Sequence, residues 1–357
     1  MSYVKTKWTD NQTPLSADNL NNIEDGIEAV PVDASEGRSS IVTKTVNIET
    51  DVDSHGNPID RTNRVYGAFS SAFGSRNTVN DTATEGGVFG GKNTLYGEDA
   101  FVCGYQNTSY GNQSFTGGYN NTNRGKESFI FGNSNSFATN AQDSGIIGST
   151  NTVGLTYHSF IVGKNHSVGD AVENTIISGY QSSVGDSVYG SAIFGNYNTV
   201  GSSSGYNGVF GSHNTISANA TNSGVFGDSN SVGEGCQYNG VFGLTNTLND
   251  GVSYAFVSGK NNTCSYGYSN LIGWGLKDTE EGQTIVGGYN KVISGAWFQV
   301  GTGSGNGSRK TSFAVFSDKV MMPTTTTIGE YGATTQYVQN IVGDINSVLD
   351  TINGTVI

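Results

Sequence analysis

The segment Gly208–Leu248, "GVFGSHNTISANATNSGVFGDSNSVGEGCQYNGVFGLTNTL", repeats one short motif three times at intervals of sixteen residues. Each copy contains two apolar residues, a glycine, two variable residues, an asparagine, and a threonine or serine. The motif continues in both directions at intervals of 14 to 16 residues, and its glycine is called the anchor glycine below. The anchor glycines are Gly74, Gly90, Gly104, Gly118, Gly132, Gly148, Gly163, Gly179, Gly195, Gly211, Gly227, Gly243, Gly259, Gly273, Gly287 and Gly301.

The length of the repeat decides the fold class. A unit of 14 to 16 residues is too short for two helices and their turns, whereas it fits two short strands and two turns. Such a unit is one coil of a parallel β-solenoid, also called a β-roll, in which each coil pairs with the next. The 52 glycines among 357 residues suit a chain of short strands and tight turns. We therefore expect an all-β solenoid.

Two residue types in the motif have predicted structural roles. Each anchor glycine is expected in a turn that needs a positive φ or a close backbone approach. Each asparagine three residues later is expected to stack on its equivalents as an amide ladder that satisfies turn backbone. The best examples are Gly195, Gly211, Gly227 and Gly243 with Asn198, Asn214, Asn230 and Asn246.

The apolar pair before the anchor predicts self-association. Val225 and Phe226 are neighbours on one strand, so their side chains point to opposite faces. A thin coil has one interior, so the other residue leaves an apolar stripe outside, and long apolar stripes are rarely left in water. The sequence therefore predicts that other copies cover the stripe, most simply in a closed homotrimer.

The repeats "SAFGSRNTV" (71–79), "GVFGGKNTL" (87–95) and "SAIFGNYNTV" (191–200) resemble the head repeats of trimeric autotransporter adhesins. The resemblance covers about residues 66–302 and implies a left-handed parallel β-roll with three chains side by side. The bias toward 16-residue coils departs from the shorter coils of that family. Phage tail proteins use the same roll.

The ends of the chain favour the phage setting. The segment "WTDNQTPLSADNLNNIEDGIE" (8–28) resembles the attachment segment of tail and baseplate proteins of phages and prophages of Gram-positive bacteria. The segment "GTGSGNGSRKTSFAVFSDKVMMP" (301–323) resembles the neck that follows the roll in phage receptor-binding proteins. Neither a secretory signal nor a membrane anchor is recognised, so we expect assembly in a bacterial cytoplasm.

Apolar residues at alternating steps of three and four predict short coiled coils at both ends. Two heptads do not hold a helix alone, so each is expected to associate as a trimer, or else to pack on its own chain. The predicted seams are Leu20, Ile23 and Ile27, and Val338, Val342, Ile345, Leu349 and Ile352. The expected organisation is an attachment segment with a coiled coil (1–36), a β transition (37–65), the β-roll (66–302), a neck (303–334) and a C-terminal coiled coil (335–357).

Composition excludes several functions. The net charge of −13 disfavours nucleic acid and anionic lipid as partners. No apolar run approaches the length of a membrane span, so no membrane insertion is expected. Cys103, Cys236 and Cys264 fit neither a disulfide framework nor a zinc site. No catalytic motif, metal site or cofactor is predicted, and the protein is not expected to be an enzyme.

Candidate ligand-binding residues lie in the wider coils. Tyr206, Tyr238 and Tyr254 occur eleven residues after their anchors, with Asn222 between the first two, and this stripe suits stacking and hydrogen bonding to a sugar. Equally, these tyrosines would pack against a neighbouring chain. Trp274 and Trp297 interrupt the repeat and either contact a ligand or cap the solenoid.

These observations predict a tail fibre or receptor-binding protein of a phage, or of a prophage-derived particle. Its partners would be itself as a homotrimer, tail or baseplate proteins at the N-terminus, and a cell-wall or capsular glycan of the host. It would be located in the virion tail. A structural spacer without a ligand and, less favoured, a polysaccharide depolymerase are the alternatives.

Overall fold

The computed structural model describes residues 41–42, 63–138 and 140–322, together with the single positions 340, 342, 345 and 349. The chain divides into two units, Met1–Gly205 and Tyr206–Ile357, which are described separately. Both units are parallel β-solenoids, so the predicted fold class is confirmed at that level. The predicted left hand of the winding and the predicted homotrimer stay predictions.

Unit 1 has a long strand and a short strand in each coil. The long strands are β3 (Ser71–Ser75), β5 (Gly87–Gly91), β7 (Phe101–Tyr105), β9 (Phe115–Tyr119), β11 (Phe129–Asn133), β13 (Gly145–Ser149), β16 (Phe160–Lys164), β19 (Ile176–Tyr180) and β21 (Ala192–Asn196), and β3 also pairs with the two-residue strand β1 (Ile41–Val42). The short strands are β2 (Arg64–Val65), β4 (Thr78–Val79), β6 (Thr94–Leu95), β8 (Thr108–Ser109), β10 (Thr122–Asn123), β12 (Ser136–Phe137), β14 (Thr152–Val153), β17 (Ser167–Val168), β20 (Ser183–Val184) and β22 (Thr199–Val200). Strands β15 (Thr156–Tyr157) and β18 (Val172–Glu173) form part of a third side.

Unit 2 repeats this plan over its first four coils. Its long strands are β23 (Gly208–Ser212), β25 (Gly224–Asp228), β27 (Gly240–Leu244), β29 (Phe256–Lys260), β31 (Asn270–Trp274), β32 (Thr284–Gly288) and β33 (Ala296–Thr302). Its short strands are β24 (Thr215–Ile216), β26 (Ser231–Val232), β28 (Thr247–Leu248) and β30 (Thr263–Cys264). Strand β33 continues the parallel stack but pairs antiparallel with β34 (Thr311–Phe316), which pairs with β35 (Val320–Met321). This meander covers the last edge of the stack.

The register between coils aligns the anchor glycines. Gly211 pairs with Gly227, which pairs with Gly243. Their φ angles are between 118° and 130°, and a Cβ atom on Gly211 or Gly227 would overlap the carbonyl oxygen of the next anchor. Only glycine fits such a position, because L side chains rarely adopt that φ and the next backbone leaves no room.

The apolar pairs face two ways, as the sequence predicts. Val209, Val225 and Val241 are fully buried. Phe226 and Phe242, by contrast, are each 38% exposed on the outer side of the same strands. The interior of each coil is therefore filled by the first apolar residue, while the second lies outside.

The predicted terminal coiled coils fall mostly outside the described residues. Leu20, Ile23, Ile27, Val338 and Ile352 are not described. Asn340, Val342, Ile345 and Leu349 have helical backbone, and the three apolar ones are about half exposed. The helical backbone agrees with the predicted seam, whereas its association into a coiled coil stays a prediction.

Candidate interaction surfaces

The outer side of the long strands is a candidate interaction surface, and two rows of turn residues border it. We call the residues five positions before each anchor glycine the leading edge. We call the residues one and two positions after each anchor the trailing edge, and we use "level" for a coil identified by its anchor. At the level of Gly243, for example, Tyr238 is on the leading edge and Leu244 and Thr245 are on the trailing edge.

The surface between these edges carries about one large apolar side chain per level. The two outward positions of β25 are occupied by Gly224 and Phe226, whereas those of β29 are occupied by Phe256 and Ser258. Where the first strand position is glycine, the neighbouring ring occupies the space, and a Cβ on Gly224 would lie 3.1 Å from the Phe226 ring. At these levels a large residue thus compensates for a small one, which suits packing against another surface.

Rings of successive levels stack along this surface. The ring centroids of Phe210 and Phe226 are 5.0 Å apart, and those of Phe226 and Phe242 are 4.9 Å apart, with interplanar angles of 1° and 2°. In unit 1, Phe73 and Phe89 stack at 4.7 Å. Rings that stack or tilt against one another thus form an apolar column over four successive levels in each unit, from Phe73 to Phe115 and from Phe210 to Phe256, and they are partly exposed in the single chain.

The leading edge of unit 2 is a tyrosine ladder. Tyr238 stacks on Tyr254 with centroids 5.0 Å apart, and Tyr254 stacks on Tyr268 at 4.9 Å. All three residues have φ of 57° or 58° and are at least half exposed. Because the rings stack directly on one another, no sugar ring fits between them.

Of the residues that the sequence predicts to bind a ligand, Tyr238 and Tyr254 belong to this ladder, whereas Trp274 and Trp297 lie elsewhere. Tyr206 and Asn222 occupy the same edge, in the same left-handed conformation, at the two preceding levels. Tyr268 also lies on this edge, but the count of eleven residues from the preceding anchor does not find it, because its coil has fourteen residues rather than sixteen. Eleven residues after Gly259 comes Asn270 instead. Counting five residues back from the next anchor, Gly273, finds Tyr268.

The leading edge of unit 1 is acidic. It carries Glu85, Asp99, Glu127 and Asp143, with φ between 50° and 56°. The carboxylate of Glu127 lies 2.8 Å from the Lys126 ammonium, and the hydrogen bond from that ammonium lowers the pKa of Glu127. A cleft of about 470 Å³ opens here, lined by Glu127, Phe129, Asp143, Ser144, Gly145, His158, Ser159 and Phe160.

The trailing edge has a different character. In unit 1 its charged residues are the cations Arg76, Lys92 and Lys164. In unit 2, Leu244, Lys260 and Trp274 follow one another on successive levels, aligned by the parallel register of their strands. Each unit therefore has two chemically distinct edges on either side of the same apolar column.

The asparagines form a buried ladder. The backbone N–H of Asn230 donates to Asn214 Oδ1 at 3.1 Å, and its side-chain amide donates to the same oxygen at 3.0 Å and to the carbonyl of Gly243 at 2.8 Å. Asn246 repeats the contacts with Asn230. Asn198 is buried at the equivalent position and donates to the Phe194 carbonyl at 3.3 Å. The ladder satisfies backbone groups that would otherwise be buried without partners.

His166 occupies one ladder position in unit 1. Its backbone N–H donates to Asn151 Oδ1 at 2.9 Å, and its Nδ1 accepts from the backbone N–H of Ser182 at 3.2 Å. Its Nε2 is 3.2 Å from the Val162 carbonyl. The imidazole therefore replaces the asparagine in its neutral form, and burial lowers its pKa.

The two tryptophans do not form one site. The parallel register aligns Trp274 with Gly288, and Gly288 with Thr302 of β33. Trp297 lies on the same strand, five residues before Thr302. The Trp274 ring covers the backbone of Gly288. Trp297 is 68% exposed and is the most exposed of the large apolar side chains described.

Three carboxylates of the wider turns accept hydrogen bonds from the backbone. Asp170 Oδ1 accepts from the backbone N–H of Leu155, Asp186 Oδ1 accepts from that of Asp170, and Asp250 Oδ1 accepts from that of Glu234, each at 2.8 Å. Each acid thus caps the turn of the preceding coil.

The described residues contain no cluster of three or more potential metal ligands, and no helix among them has the length and apolar character needed to cross a bilayer. Cys103, Cys236 and Cys264 are free thiols, and burial raises the pKa of each. Comparison with protein-family models and with curated proteins finds no match for this chain.

Proposed function

We propose that this protein is the homotrimeric fibre of a phage tail or a prophage-derived tail particle, and that it adheres to a glycan of the host surface. The observation that carries the trimer is the column of stacked, partly exposed phenylalanines on the outer side of the long strands. When three copies turn these columns toward a common axis, each column is covered by the other copies. Because the ring is closed, no column remains exposed to water.

The phage setting is supported by the resemblance of residues 8–28 and 301–323 to tail and receptor-binding proteins. In this proposal the N-terminus attaches to the tail or baseplate, the protein is part of the virion tail, and a left-handed winding matches the related β-rolls. Apolar residues Val342, Ile345 and Leu349 are half exposed on helical backbone, which supports a C-terminal coiled coil in the same trimer.

Light scattering of the native full chain tests the trimer. The expected mass is three times the 37.4 kDa of the chain. Phe226→Arg places a charge in the aromatic column and is expected to give the mass of one chain. Ser231→Arg, on the outer side of a short strand in the same unit, is the matched control and is expected to leave the trimer intact. A single-chain mass for the unmodified protein would refute the trimer.

Glycan adhesion is supported by Trp297, whose exposed indole offers an apolar face beside a polar edge, as sugar-binding sites commonly do. Several trimers per tail would combine weak contacts into firm attachment. Labelled protein is expected to adsorb to some Gram-positive strains, and Trp297→Ala to reduce that adsorption about tenfold. Tyr266→Ala, another exposed aromatic of unit 2, is the control and should adsorb normally.

A spacer fibre without a ligand is the second candidate, because the apolar column supports assembly whether or not a glycan is bound. Failure of the protein to adsorb to any strain of a broad panel would favour it over adhesion. Three carboxylates of the wide turns, Asp170, Asp186 and Asp250, accept from backbone N–H groups, and this favours adhesion over depolymerisation. Host polysaccharide is accordingly expected to keep its length after incubation with the protein.

A further inference from the structure

We infer that the trimer closes by pairing the leading edge of one copy with the trailing edge of the next, at the same level. This inference rests on the proposed trimer and specifies which surfaces meet. It assigns the tyrosine ladder of unit 2 to an interface between copies rather than to a ligand. The partner of each edge is thus a second copy of this chain.

The geometry of a closed ring requires unlike edges to meet. When three copies turn the same face toward one axis, the two borders of that face lie at the seams with the two neighbours. Rotation about the axis places the leading edge of each copy beside the trailing edge of its neighbour, so the interface is heterologous. A closed ring has no translation along its axis, so edge residues meet at equal heights, and with strands perpendicular to the axis each level meets the same level of the neighbour.

The residues that this rule brings together in unit 2 are complementary. At three successive levels it sets Tyr238 against Leu244, Tyr254 against Lys260, and Tyr268 against Trp274 of the neighbour. These pairs are respectively an aromatic ring on an aliphatic side chain, an ammonium near an aromatic ring, and two aromatic rings. The three tyrosines are at least half exposed in one chain, so each has surface left to contribute.

In unit 1 the same rule gives one pair of opposite charges and brings no two acids together. At the level of Gly90 the carboxylate of Glu85 meets Lys92 of the neighbour. The acids of the leading edge, Glu85, Asp99, Glu127 and Asp143, meet no acid at their own levels among the described residues. An arrangement in which like edges meet would set the acidic row against itself, and close like charges are costly.

Disulfide trapping tests this pairing in the full-length protein. The pair Tyr238→Cys and Leu244→Cys is introduced together with Cys103→Ser, while Cys236 and Cys264 stay buried. Within one chain the two engineered positions lie at opposite ends of β27, whose five residues alone span about 13 Å, which is too far for a disulfide. Mild oxidation is therefore expected to yield a covalent trimer on a non-reducing gel.

Two control variants test which edges meet and whether they meet at the same level. The single variant Tyr238→Cys is expected to give no covalent species, and a dimer band from it would overturn the inference, because like edges would then meet. The pair Tyr238→Cys and Trp274→Cys is shifted by two levels, about 10 Å, and is expected to stay uncrosslinked. Trapping of this shifted pair in place of the same-level pair would also overturn the inference.

Light scattering separates the failure of the pairing from the failure of the trimer. A three-chain mass without same-level trapping overturns the edge pairing and leaves the proposed trimer standing, whereas a one-chain mass refutes both. If the cysteine variants fail to fold, charge exchange provides a second test. Glu85→Lys and Lys92→Glu are each expected to lower the fraction of trimer at low salt at least twofold. The double variant is expected to restore that fraction, and an equally low fraction in the double variant would overturn the pairing.

Discussion

The leading edges of the two units share one backbone conformation but carry different chemistry. In unit 1 the φ angles of Glu85 and Asp143 are 56° and 50°, and in unit 2 those of Tyr238 and Tyr254 are both 58°. The left-handed region favours asparagine and aspartate over tyrosine, so the turn does not select the tyrosines. The difference teaches that the scaffold fixes where an edge residue lies, while the turn conformation leaves the chemistry of that residue open.

The largest expected effect tests whether the scaffold is common to both units. Gly118→Ala in unit 1 and Gly227→Ala in unit 2 would each force a Cβ into the next anchor's carbonyl at a φ that L residues rarely adopt. We expect each change to lower the free energy of unfolding by about 3 kcal/mol or more, measured by urea denaturation.

Gly235→Ala is the matched control for those changes. Gly235 also has a positive φ, 68°, but a Cβ there meets no atom within 4 Å. The expected loss is about 1 kcal/mol, from the backbone conformation alone. Similar losses at Gly227 and Gly235 would show that close approach of the coils is not what requires the anchor glycines.

The chemistry of the edges is tested next, through the aromatic edge of unit 2. Tyr254 stacks between Tyr238 and Tyr268, and in the proposed trimer it also meets Lys260 of the neighbour. Tyr254→Ser is expected to destabilise the trimer by about 1.5 kcal/mol per seam, with little dependence on salt. The measurement is the concentration dependence of trimer mass in 0.1 M and 1 M salt. A loss that disappears at 1 M salt would mean that this edge acts through charge.

The sequence predicts the scaffold better than the edges. The spacing of Gly211 and Gly227 and the pairing of Val225 with Phe226 predict the coil, its register and its two faces, because these follow from local periodicity. Tyr268 and the acidic row escape the same reasoning, because coils of 14 and 16 residues change the count from the preceding anchor. Counting back from the following anchor aligns them, because the leading edge immediately precedes the strand whose pairing sets the register between coils.

His166 gives unit 1 a pH dependence that the described ladder of unit 2 lacks. Burial lowers the pKa of His166 below its ordinary value of 6.5, so the unfolded chain takes up the proton more readily than the folded chain. The contribution of the neutral imidazole is complete above pH 6.5 and is lost as the pH falls below it. The expected loss is at most about 1.4 kcal/mol per pH unit.

Urea denaturation of the unmodified protein and of His166→Asn, at pH 7.5 and pH 5.5, tests this dependence. Asparagine restores the residue that the ladder uses at Asn151, and its amide does not titrate in this range. The unmodified protein is expected to lose more stability between the two pH values than the variant. Equal losses would show that the imidazole is not required in its neutral form.

The smallest expected effect concerns the charged leading edge of unit 1. Its response to salt is expected to differ most clearly from that of the tyrosine edge of unit 2. Glu85→Gln keeps the shape and left-handed backbone of the residue but removes its charge, and an exposed ion pair contributes less than about 1 kcal/mol. We expect a weaker trimer at 0.1 M salt and no difference from the unmodified protein at 1 M salt, where the screening length falls to about 3 Å. Because Tyr254→Ser is expected to keep its effect at 1 M salt, the two variants measured together separate an electrostatic seam from an aromatic one. An effect of Glu85→Gln that persists at 1 M salt would assign the carboxylate to packing or to hydrogen bonding within its own chain.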